Sequence, residues 1–200
     1  MSDVSATRSA VIELKDERRA MHEGYVFLDE KCLLLAGEIL RELARYSRLQ
    51  SEFLKLHDDA LTALRVAVMR HGLHGLQIYP PADLSPARLR TEGRSLMGVR
   101  LQEATFEGGD AQAAGTVDRS PEAEVCRRAF AALLVAAAPI AAVSGNLERL
   151  SLEYRRAVRR ARALQDVMLP ELDQTIYEID SRLEELERED AIWMRQGVSP

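Results

Sequence analysis

Apolar residues recur at alternating spacings of three and four along the first third of the chain. Val11, Leu14, Met21, Tyr25, Leu28, Cys32, Leu35, Ile39, Tyr46, Leu49, Phe53, Leu56, Ala60 and Ala63 fall on one seam, with Arg18 and Glu42 as its two polar members. A seven-residue repeat sustained this long predicts a helix wound left-handedly about a partner helix. Thr7 or Ser5 stands in place to cap its start. A second seam reads Leu147, Leu150, Tyr154, Ala157, Ala161, Leu164, Met168, then resumes in a shifted phase as Leu172, Ile176, Ile179, Leu183, Leu186, Asp190, Trp193. Pro170 sits at the phase shift, where it lacks a backbone donor and predicts a helix bend or a local change of winding. Ser120 and Pro121 read as N-cap and first helical residue of this arm, and Pro139 predicts a further bend.

Gly and Pro cluster between Gly72 and Pro121 and are sparse on either side. The chain therefore divides into an N-terminal coiled-coil arm at 5–71, a middle knob at 72–120 and a C-terminal coiled-coil arm at 121–196. Helices of that length would run ~100 Å at 1.5 Å per residue, so each arm needs a partner. The simplest fold is all-α, a long antiparallel two-helix coiled-coil hairpin carrying a small irregular or β-hairpin knob in its middle. Pairing the two ends puts Cys32 opposite the region of Met168 and Cys126 opposite that of His74, which excludes a disulfide between the cysteines. Within the knob, Tyr79-Pro80-Pro81 and Pro86 read as loop and Val99 to Phe106 as a strand. Gly108-Gly109-Asp110 reads as its turn and Ala111 to Val117 as the returning strand.

Composition supports long helices. About half the chain is Ala, Glu, Lys, Leu or Arg, and aromatics make up only 5%. At 46% hydrophobic the chain is too apolar for disorder. A net charge of −5 argues against a general nucleic-acid binder. Two distant cysteines with no CxxC spacing exclude a disulfide framework and a cysteine-rich zinc site, and fit a reducing compartment. The polar start MSDVSATRSAVIELKDERR is no secretory signal. Ala129 to Leu147 is uncharged and near bilayer-spanning length, but its many alanines, with Pro139, Ser144, Gly145 and Asn146, favour a soluble, closely packed helix.

Motifs for phosphate, dinucleotide or metalloprotease chemistry are absent from the sequence. His71 and His74 share a helix face but lack an acidic or cysteine partner, so a surface or capping role is favoured over a metal site. His22 and His57 are lone residues. The remaining feature is electrostatic. Arg149, Arg155, Arg156, Arg159, Arg160 and Arg162 form a basic band, and the segment from Glu171 to Asp190 is strongly acidic. A solvated face with i,i+4 pairs such as Glu178–Arg182 and Glu184–Arg188 is the plain reading. The sharper one is a band that meets acidic loops of a surrounding protein. A two-helix hairpin offers no water-excluding pocket for catalysis, so no catalytic, metal or cofactor-binding residue is expected.

Several strings resemble the D-subunit family of V-type (A/V-type) rotary ATPases and ATP synthases, the central-stalk rotor shaft. They are Thr7-Arg8 followed by VIELKDERRAMHEGYVFLDEKCLLL, the segment RRARALQDVMLPELDQTIYEIDSRLEELERED, and Arg100-Leu101-Gln102-Glu103-Ala104-Thr105-Phe106 in the middle. The chain departs from that pattern in Pro139 and in the short tail after Trp193-Met194. The resemblance implies a non-catalytic subunit that uses no cofactor and transmits torque between head and membrane ring, coupling ATP synthesis or hydrolysis to proton or sodium transport. It implies as partners the A and B subunits of the catalytic head, the small F subunit of the stalk and the stalk-to-ring coupling subunit. Nucleic-acid binding and direct membrane insertion are not expected, and the location implied is cytoplasmic and peripheral to the membrane. Arg8, Arg155, Arg156, Arg159, Arg160, Arg162, Trp193, Met194 and Arg195 are the expected partner contacts. A shaft-like stalk protein of a flagellar or type III export ATPase and a generic coiled-coil scaffold or adaptor are the competing readings.

Overall fold

The computed structural model describes residues 7–79, 87–108 and 120–197. In chain order these form helix α1 (Arg8–Leu76), strands β1 (Arg88–Leu96) and β2 (Val99–Glu107), helix α2 (Pro121–Ala163), one π-helical turn (Leu164–Met168) and helix α3 (Leu169–Gln196). Ser5 as a cap, the prolines at 80, 81 and 86, and the expected returning strand at 111–117 lie outside the described residues.

Local chemistry sets the helix ends. Thr7 caps α1, its Oγ1 accepting the Ala10 N–H at 3.3 Å. Gly72 breaks α1's helical path at φ 71°, ψ 164°, a conformation open to glycine because it has no Cβ. Ser120 caps α2, its Oγ accepting the Ala123 N–H at 3.2 Å, and Pro121 occupies a position whose missing donor costs nothing. α2 runs on through Pro139.

The chain forms two compact units, one of residues Met1–Leu34 with Tyr154–Pro200 and one of residues Leu35–Glu153. In the first, the opening turns of α1 lie antiparallel to the end of the chain. Arg8 reaches Glu187 at 2.5 Å, Lys15 reaches Asp180 at 3.1 Å, and Arg18 pairs with Asp173. Val11, Cys32, Ala157, Ala161, Ile176 and Ile179 form its core. The ends do not set the register. Leu164 lies 3.9 Å from the place a Cβ would take on Gly24, so Met168 sits nearer the start of α1 than the expected position opposite Cys32. Side-chain fit and the ion pairs fix this register.

The π turn revises the second seam. The Leu169 N–H donates to the Leu164 carbonyl, five residues back, so Leu169 rather than Met168 stands in line with Leu164. Leu169 is half-buried, and Met168 faces outward at 39% exposure. From Leu169 the seam steps regularly through Leu172, Ile176, Ile179 and Leu183. The phase shift expected at Pro170 is thus one wide turn. It sets the proline in the first turn of α3, where no N–H is needed. Leu186, expected on the seam, is half exposed, level with the first turn of α1, where Arg8 meets Glu187.

In the second unit α1 and α2 are also antiparallel, with His71 of α1 on Ser120, the cap of α2, and, farther along, Glu42 on Asn146. Cys126 therefore lies more than a turn beyond the level of His71, away from the expected His74. Leu35, Ala60, Ala67, Val99, Leu101, Ala104, Ala138, Val143 and Leu150 are its buried apolar residues. The strand pairing departs from expectation. β2 returns from β1, pairing Arg88 with Glu107 through to Leu96 with Val99 across a two-residue turn at Met97 and Gly98, at φ 48° and 86°. Two consecutive positive φ values are the hairpin turn whose twist matches that of the strands. Burial moves from Val99 and Leu101 to Ala104 on the other face of β2, as in a strongly twisted two-stranded ribbon.

One stretch within Pro121–Gln196 is long and apolar enough to cross a membrane by length and composition, and 17% of it is buried. The close packing expected of the alanine-rich run is therefore limited to one face. Ala138, Val143 and Asn146 are buried, whereas Phe130, Leu134 and Val135 are exposed.

Candidate functional site

A polar cluster forms where α1, α2 and the hairpin meet. Glu38 and Glu42, one helical turn apart on α1, are each only 4% exposed. Arg94 of β1 pairs with Glu38 and approaches Glu42 at 3.6 Å, and Arg41 adds a contact to Glu38 at 3.1 Å. Buried carboxylates are costly unless paired, and Arg94 is the cation that reaches both. The hydrogen bond that Arg94 donates to Glu38, with the carboxylates nearby, raises the pKa of Arg94 above its ordinary value. Arg45 of α1 reaches Glu103 of β2 at 2.8 Å.

Asn146 of α2, only 1% exposed, is the centre of this joint. Its Oδ1 accepts the Gln102 N–H at 2.8 Å and an Arg149 guanidinium N–H at 2.7 Å. Its Nδ2 donates to the Gln102 carbonyl at 2.9 Å and to Glu42 at 3.5 Å. Arg149 also donates to the Arg100 carbonyl at 2.9 Å. Side chains of α2 thus occupy the edge of β2 that β1 leaves open, an edge that otherwise presents unpaired backbone groups. The sequence marked Glu42 as a seam exception and Asn146 only as a break in an apolar run. Partnership between the two was invisible because they lie 104 residues apart.

The other seam residues divide by burial. Val11, Leu35, Leu150, Ile176 and Ile179 are buried. Leu14, Met21, Tyr25, Leu28, Ile39, Leu49, Phe53, Leu56, Leu147, Tyr154, Leu164, Leu172 and Leu183 are half-buried. Arg18, the second polar exception, reaches Asp173 across the helix pair.

Arg155, Arg156, Arg159, Arg160 and Arg162 are all exposed along the end of α2. Arg8 is exposed but engaged with Glu187, whereas Trp193 stands 73% exposed beside exposed Met194 and Arg195. Both cysteines are free thiols, and burial pushes both pKa values up, aided at Cys32 by Asp29. Low thiolate content suits them to packing rather than nucleophilic work. The His71 ring is committed to Ser120, with Nε2 2.6 Å from Oγ. Among the described residues no group of three or more His, Cys, Asp or Glu is placed to hold a metal ion.

The chain matches the family profile of the ATP synthase D subunit over residues 10–195. It is 26% identical over 194 residues to the V-type ATP synthase D subunit of Thermotoga neapolitana, covering 96% of each chain. It is 26% identical over 199 residues to the A-type ATP synthase D subunit of Methanopyrus kandleri, covering 98% of this chain and 86% of that one. With the A-type ATP synthase D subunit of Pyrococcus furiosus it shares 27% identity over 194 residues, covering 93% and 89%. The two helical seams and the strand between them therefore lie within one family match, and the chain belongs to the D-subunit family of ATP synthases.

Proposed function

We propose that this chain is the central-stalk shaft of a V/A-type rotary ATPase or ATP synthase, carrying torque between catalytic head and membrane ring and so linking ATP synthesis or hydrolysis to ion transport. Its partners on this reading are the A and B subunits of the head, the small F subunit of the stalk and the stalk-to-ring coupling subunit. It acts without catalysis of its own, in the cytoplasm at the membrane surface. One observation carries the reading. In each unit the helices are antiparallel, and the two polar members of the first seam, Arg18 and Glu42, each find a polar partner on the facing helix. Slippage along the seam would break these pairs, and a shaft has to resist such slippage. The exposed apolar residues Phe130, Leu134 and Val135 are faces for neighbouring subunits rather than lipid, since Asn146 within the same stretch is committed to a buried polar network. The basic residues from Arg155 to Arg162, with Trp193, Met194 and Arg195, supply further contacts.

The test is assembly with the head and stalk subunits, followed by a seam substitution. Leu164→Asp places a carboxylate in the half-buried seam beside Gly24 and is expected to cost a few kcal/mol of helix pairing. Ion pumping per ATP hydrolysed should fall while the head subunits remain folded. Unchanged helicity and unchanged coupling would refute the reading, as would failure of the wild-type chain to co-purify with those subunits.

A further inference from the structure

Asn146 has two lone-pair sites and two N–H donors, and all four are used. Three of the bonds go to the hairpin edge and to Arg149, which itself holds that edge, and the fourth goes to Glu42 on α1. Within this unit one amide therefore binds α1, α2 and β2 together. We infer that Asn146 is a positioning residue that makes docking of the β-hairpin conditional on the register of α1 against α2. The argument rests on what lies one turn away. A slip of α2 by a single turn, ~5.4 Å, would bring Ala142 and Val143, or Arg149 and Leu150, towards the place of Asn146. None of these side chains offers a peptide group both a donor and an acceptor. The Gln102 N–H and carbonyl would then lose their side-chain partners in a part-buried site, and the hairpin would lose its seat on α2 rather than shift to a second one. Arg94 works in the same sense from the other side, since its two carboxylates belong to α1 alone. Docked, the hairpin moves with the helix pair as one body.

Backbone hydrogen exchange of the full-length chain tests the inference, which does not depend on the torque-carrying reading. Asn146→Leu removes the acceptor and both donors while keeping a side chain of similar size in the site. The Gln102 amide and its neighbours in β2 should exchange about tenfold faster or more, while the amides of α1 and α2 and the far-UV circular dichroism stay unchanged. A residue that merely filled the core would instead loosen α1 and α2 along with the hairpin. If the leucine variant fails to fold, Arg149→Met removes the bonds to Arg100 and Asn146 while leaving the amide in place, and a several-fold rise confined to β2 is expected. Unchanged protection of Gln102, or a rise shared equally by hairpin and helices, overturns the assignment in either variant.

Discussion

The Ser120 hydroxyl joins the end of α1 to the start of α2. It has one proton, which it gives to Glu122 at 3.1 Å, and its oxygen accepts the Ala123 N–H. His71 Nε2 lies 2.6 Å from the same oxygen and donates or accepts there according to its tautomer. The Glu122 carboxyl is held below its ordinary pKa, first by its own backbone N–H and then by the Ser120 hydroxyl, with help from Arg70 and His71. A carboxyl depressed in the folded state stabilises the fold above its unfolded pKa, about 4.3 for glutamate, and loses that contribution as pH falls through the lower folded value. Urea midpoints of the wild type should therefore exceed those of Glu122→Gln at pH 6 to 7 and converge with them in acid. Parallel pH profiles with a constant gap would show that the carboxylate charge is not what holds this cap.

At the scale of elements, the π turn makes an unusual prediction about a deletion. A π turn is an α-helix with one residue inserted, and the inserted residue here keeps the Pro170 ring clear of the carbonyl behind it. Deleting exposed Val167 together with Pro170→Ala should yield an unbroken α-helix that still presents Leu164 and Leu169 to α1, with a thermal midpoint no lower than that of the wild type. Deleting Glu178 should do the opposite. It turns Ile179 and Leu183 ~100° off the seam, and circular dichroism melts should show a loss of several kcal/mol. This contrast also shows where the sequence was legible. Heptad spacing shows the seams, and the stutter shows that winding changes near Pro170, but spacing alone cannot choose between Met168 and Leu169. That choice depends on which carbonyl receives the Leu169 N–H. β2 is readable from VRLQEATF. β1 is not, since Arg-Leu-Arg-Thr-Glu-Gly-Arg-Ser-Leu has no apolar face and is exposed until its last residue. Its turn at Met97-Gly98 lacks the Asn-Gly or Asp-Gly signature that marks such hairpins. The joint at Asn146 stayed hidden because its partners beyond Arg149 are two backbone groups and a distant carboxylate.

For the whole molecule, the family assignment and the burial pattern together say where isolation leaves the chain incomplete. From Glu184 to Gly197 every residue is exposed, including Ile192, Trp193 and Met194. The cross-helix hold described there is the Arg8–Glu187 pair at the surface, and such pairs contribute little. An amphipathic helix without a packed face is marginal in water, so on the proposed reading these last turns gain their order from a neighbouring subunit. In the isolated chain, amides at 188–196 should exchange far faster than those around Ile176 and Ile179, where the seam is buried. Assembly with the head subunits should slow the terminal amides and leave those at the seam nearly unchanged, because only the former gain a covering surface. Trp193→Ala should then weaken association without altering the melting of the free chain. If the isolated chain already protects 188–196 as well as the Ile176–Ile179 turn, the tail owes its order to this chain alone, and its apolar end is not a contact surface.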